Sequence, residues 1–205
     1  MDVELDVERL KRTPIGDYEI SAYLNGRTQV IKYNEIPKYK TIEEFLGPYG
    51  NAVILLETKN NFGHWICLKI TGNVVSFFDS YGDFPDQQKK FVNTKFLTDS
   101  GQKFNIICKM LDEASYKYTI EFSDRRLQNM DDMSISTCGL WCAVFIKSGM
   151  LVDEFYDFLE GFGEPDLDKL IVELYYNQPS KKRIKLGRFF KLLNYFLVGE
   201  PNEKS

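Results

Sequence analysis

Residues 138–147, Cys-Gly-Leu-Trp-Cys-Ala-Val-Phe-Ile-Lys, are apolar at almost every position and carry a single charge. A helix of that composition has no face to give to water. It must lie inside, with other elements around it, so the rest of the chain has to be built about this segment. Ser136 or Thr137 is placed to cap its start and Gly149 to close its end. Upstream, the apolar run 52–57 reads as an interior strand, and 65–70 and 73–78 flank Thr71-Gly72 as a hairpin.

The remaining signals fill in an α+β chain, with a mixed central sheet flanked by helices. A turn at Asn25-Gly26 precedes a strand near 29–33, after a short acidic start. Thr41 and Glu44 form a capping pattern for a short helix closed by Gly47-Pro48. Ser100 is expected to open a helix with Phe104, Ile107, Cys108 and Leu111 on its apolar face. An edge strand is expected at 117–122, and helices near 152–159 and 166–176. After Pro179, Leu186, Phe189, Phe190, Leu193 and Leu197 mark a last amphipathic helix. The expected organisation is one domain over 1–178, its core at about 50–150, with a basic helix appended at 179–205.

With 43% hydrophobic residues in 205, the chain has the material for a sizeable core. A net charge of −4 excludes a general polyanion binder. The charge is uneven, however: residues 153–173 hold eight acids and one lysine, whereas 181–191 hold six bases and no acid. No apolar run follows Met1, and none approaches the roughly 18 residues of a membrane span. The four cysteines, at 67, 108, 138 and 142, are therefore expected as free thiols in a reducing compartment.

The chain has one histidine, His64, in Gly63-His64-Trp65. His64 opens one strand of the expected hairpin, and Asp79 follows the other in Phe78-Asp79-Ser80-Tyr81-Gly82. An antiparallel hairpin sets those two ends side by side. Cys138 falls in the first turn of the buried helix, where the helix dipole and a nearby imidazolium both stabilise a thiolate. Nucleophile, base and orienting carboxylate are the parts thiol catalysis needs. A zinc site from His64, Cys67, Cys138 and Cys142 fits less well, because His64 and Cys67 point to opposite faces of their strand. No metal or cofactor is expected.

The order His64, Asp79, Cys138, with Thr137-Cys138-Gly139, resembles the adenain and SUMO-protease clan of cysteine peptidases. The Phe78–Gly82 and Thr137–Cys142 wording is most similar to versions encoded by virophages and large DNA viruses. The resemblance spans about residues 52–150. It implies an adenain/SUMO-protease-like cysteine peptidase fold and a capsid-maturation protease, in the virion or the cytoplasm of the infected cell. A deconjugase of ubiquitin-like modifiers and an acetyltransferase share the clan's site. It further implies a glutamine in the oxyanion hole. Gln128 is the candidate, although it lies ten residues before Cys138 where six or seven is usual in the family. Trp65 is implied to wall a channel over small substrate residues, and Gly139 to leave room beside the backbone amides. A DNA or peptide activator, by the same likeness, would meet Lys181, Lys182, Arg183 and Lys185.

Overall fold

The computed structural model describes residues 6–176. The basic tail, with Lys181, Lys182, Arg183 and Lys185, lies outside those residues. Five strands form one mixed sheet in sequential order: β1 (Gln29–Lys32), β2 (Asn51–Lys59), β3 (Phe62–Thr71), β4 (Val74–Phe78) and β5 (Thr119–Phe122). The β2–β3 and β3–β4 pairs are antiparallel, whereas β1 and β5 add to the edges in parallel. Gly72, at φ 60°, supplies the left-handed residue of the turn between β3 and β4.

Alternate residues of the strands serve two separate cores. On one face Val53, Leu55, Trp65, Cys67 and Phe78 meet α6 (Cys138–Ser148), α7 (Val152–Glu160) and α8 (Leu167–Tyr176). On the other, Ile54, Leu56, Ile66, Leu68 and Phe77 meet α3 (Ile42–Leu46) and α5 (Ile106–Ala114). The α+β architecture expected from the sequence is therefore present, with helices on both faces of the sheet. Every residue of α6 except Lys147 is buried, as its composition requires, and Gly149 closes it at φ 65°. Lys69 of β3 reaches the helix's far end, where its Nζ donates to the carbonyls of Phe145 and Met150.

Two expectations are corrected. Ser100 does not open a helix; it closes α4 (Thr94–Asp99), and Gly101 at φ 74° turns the chain away. α5 starts only at Ile106, so Phe104 and Cys108 are exposed and the buried face is Ile107, Met110, Leu111 and Ala114. The acidic start also folds, into α1 (Val7–Lys11) and α2 (Asp17–Tyr23). Both are too short to hold without tertiary contacts. Leu10 and Ile20 anchor them in the core beside α6.

Candidate active site

The hairpin sets the first pair. Its antiparallel register aligns Cys67 with Phe78, so His64 falls opposite Tyr81, just past the end of β4. The His64 and Tyr81 rings stack, with centroids 4.2 Å apart and planes 7° from parallel. His64 Nε2 donates to Asp79 Oδ1 at 2.7 Å, with both side chains buried. The Tyr81 N–H donates to the same oxygen at 2.8 Å. Ser123, from the segment after β5, fixes the Asp79 backbone: its Oγ accepts from the Asp79 N–H at 2.7 Å and donates to the Asp79 carbonyl at 3.0 Å.

Burial alone would lower the pKa of His64, but the charge and hydrogen bond of Asp79, and then the Cys138 thiol, raise it to about 10. His64 therefore carries a proton at neutral pH. With Nε2 committed to Asp79, the buried Nδ1, which has no hydrogen-bond partner among the described residues, is the nitrogen left to exchange a proton with Cys138.

A raised histidine pKa stabilises the fold most where the ring is charged in both the folded and the unfolded state. The His64 contribution is complete below pH 6.5 and is lost as pH rises toward about 10. Lys69 acts oppositely: burial lowers its pKa from 10.5 to about 7, so its penalty is full below 7 and relieved as pH rises to 10.5. Total stability thus hides the effect. The difference between wild type and His64→Gln, from urea midpoints at pH 6 to 10, is expected to shrink steadily with pH; a difference constant across that range would contradict the charged pair.

Cys138 begins α6 and lies 8% exposed at the floor of a cleft of about 620 Å³. His64, Trp65, Tyr81 and Gln128 line the same cleft. Its walls come from Pro14–Gly16, the turn between β2 and β3, and the loop 128–136. Thr137 precedes the helix as expected, but its hydroxyl does not cap it. Instead it donates to buried Asp168 of α8 at 2.5 Å. The same carboxylate accepts from the Asn129 N–H at 2.8 Å, tying the residue after Gln128 to the residue before Cys138.

The long spacing from Gln128 to Cys138 is absorbed by an excursion pinned to α1. Arg12 pairs with Asp132 at 2.9 Å, and the Ser136 N–H donates to the Lys11 carbonyl at 2.8 Å. Gln128 itself is 1% exposed. Its Oε1 accepts from Ser80 Oγ at 2.9 Å, which aims its NH₂ toward the cleft. That NH₂ makes only long bonds, 3.3 Å to the Ile135 carbonyl and 3.4 Å to Tyr81 Oη.

Trp65 stands in the cleft wall with its indole N–H donating to the Ile15 carbonyl at 3.1 Å. Gly139 is not among the residues that line the cleft. A Cβ there would lie 2.7 Å from Ile15 and 3.1 Å from Trp65, so its missing side chain makes room for these two neighbours. Cys142, one turn on, packs fully buried beside Cys67, and burial, then its hydrogen bond with Cys67, push its thiol pKa up. Sequence reasoning missed the supporting residues Gln88, Ser123, Asp168 and Ile15. None sits in a periodic pattern, and only the tertiary fold brings them to the site.

No family model matches the chain. A solved structure, ChlaDub1 from Chlamydia trachomatis, is 13% identical and covers 92% of this chain and 81% of that one. Its TM-score is 0.25, too low for the likeness to bear on fold or function. The Sputnik virophage protein described as uncharacterized protein V9 is 33% identical over 140 residues, spanning 68% of this chain and 78% of that protein. Identity at that level over most of both chains shows the family: the protein belongs to the family of Sputnik virophage protein V9.

Proposed function

We propose that the protein is a cysteine endopeptidase of the adenain and SUMO-protease type. The observation that carries this is the convergence, in one cleft, of the His64–Asp79 pair, Cys138 at a helix start and the Gln128 amide. With its proton already held by His64, Cys138 Sγ attacks the scissile carbonyl. His64 then gives a proton to the leaving amine, and later accepts one from the water that cleaves the acyl-enzyme. Asp79 holds the ring and balances its charge. Gln128 Nε2 and the Cys138 N–H are the donors for the oxyanion.

An open cleft rimmed by exposed Phe62, Phe91 and Met133 suits a polypeptide. Trp65 over the approach to Cys138 favours small residues, glycine above all, before the cut. A virophage relative makes the capsid polypeptides of a virus the first substrates to try, with the enzyme in the virion or the infected cytoplasm. The test mixes the protein with such precursors, with ubiquitin-like precursors, and with acetyl-CoA and a lysine-rich protein, and sequences new N-termini. New N-termini after glycine in the capsid precursor alone are expected. Cleavage of the ubiquitin-like precursors alone would make it a deconjugase, and acetyl transfer without cleavage would remove the peptidase assignment.

Gln128→Ala gives a graded check on the same scheme. Loss of one oxyanion donor is expected to lower kcat by about a hundredfold with little change in KM. A loss below about threefold would exclude Gln128 from that role.

A further inference from the structure

The Asp79 carboxylate is held at both oxygens. Oδ1 faces His64 and the Tyr81 N–H, and Oδ2 accepts from Gln88 Nε2. Gln88 comes from the 3-10 turn Gln87–Phe91, in the long connection between β4 and α4. We infer that Gln88 is a positioning residue for the His64–Asp79 pair: its amide fixes the rotation of the Asp79 carboxylate, and with it the placement of His64 against Cys138. Only the catalytic consequence of this inference rests on the peptidase reading.

Three observations support it. Gln88 is 5% exposed, yet its Oε1 is buried with no partner among the described residues. A buried amide kept for stability alone would pair both ends, since an unpaired polar atom costs stability that an apolar side chain would not. The amide cannot be reversed to satisfy that oxygen, because Oε1 would then face the carboxylate, and neither can donate. The turn carrying Gln88 is also anchored independently on either side. Asp86 and Lys89 pair at 2.9 Å, and Lys89 Nζ donates to Tyr33 Oη and to the Phe104 carbonyl, each at 2.6 Å. The Cys108 N–H donates to the other Asp86 oxygen at 2.9 Å. Gln88 is thus presented to Asp79 from a fixed frame, and it is the one side chain among the described residues that bonds Oδ2.

The single histidine gives a direct readout, because its ring signals in an NMR titration have no rivals. Asp79, Tyr81 and Cys138 are the titratable groups that face it. In Gln88→Leu the carboxylate is free to turn, and the proton affinity of His64 is expected to fall at least about tenfold. On a peptide substrate kcat should fall about ten- to a hundredfold, with KM within about threefold. Gln88→Glu adds a signature that packing alone would not produce. The introduced carboxyl donates only when protonated, and burial beside Asp79 raises the pH at which it gains its proton, so its activity relative to wild type should rise as pH falls. An unchanged His64 titration in folded Gln88→Leu overturns the inference, whatever the activity does. Should Gln88→Leu fail to fold, the Gln88→Glu titration decides in its place: His64 unchanged at pH 7 overturns it equally. If wild type cleaves no polypeptide, the peptidase reading falls, while the titration still decides the role of Gln88.

Discussion

Cys138→Ala is expected to lower cleavage by about 10⁴-fold or more while leaving the fold intact. The activity follows from the loss of the only thiol that opens on the cleft; Cys67 and Cys142 are fully buried beneath it. The intact fold follows because alanine is smaller than cysteine and suits a helix start that Thr137, Asp168 and the α6 core already hold. Circular dichroism and a urea midpoint near wild type check the second half. Turnover surviving in Cys138→Ala but lost in Cys142→Ala would move the nucleophile one turn along. Alkylation gives an independent view. Cys108 is exposed, but burial of its thiol and then Asp86 raise its pKa to about 11. At pH 7 iodoacetamide should therefore modify Cys138 well before Cys108. Equal rates would remove the activated thiol from the scheme.

The second large effect is on stability. Gly63→Ala is expected to cost about 3 kcal/mol or more, because the clash it creates is with backbone and has no side chain to move aside. An added Cβ would lie 1.9 Å from the Leu56 carbonyl oxygen and 2.8 Å from the Glu57 Cα. Gly63 pairs with Glu57, beside the register shift between Glu57 and Lys59. The next residue is His64, so relief of the clash would displace the base. A fall in Tm of roughly 6–12 °C, with activity falling beyond what the lost stability explains, is the expected pair of results. A wild-type Tm would mean that the β2–β3 turn yields without cost.

The hairpin, α6 and the His64–Asp79 pairing were legible because each rests on local chemistry: a Gly turn between two apolar runs, and a helix without a polar face. The same rules misplaced the start of α5, since Ser100 serves as well at the end of one helix as at the start of the next. They could not reach Gln128 with certainty, because its route to Cys138 depends on Arg12 and Lys11, more than a hundred residues away in sequence. Gln88 was invisible for a related reason. It stands in a single 3-10 turn, and its contact with Asp79 is set by a buried network joining Tyr33, Asp86, Lys89 and the start of α5. At Gly139 the fold adds a reason that no local pattern shows, since a Cβ there would meet Ile15 and Trp65.

The segment before β1 has a consequence for where this protein can be cut or fused. Its residues supply one wall of the cleft, the acceptor for the Trp65 indole, and the clasp on the loop that brings Gln128 home. The stretch 50–150 contains every atom that would take part in the chemistry, yet it is not a self-sufficient enzyme. A miniature cut to that stretch would lose that wall, and with it α7 and α8, which cover the buried helix. The site is complete only where residues 11–15 meet Trp65, Asp132 and Ser136, contacts that lie 50 to 125 residues apart in sequence.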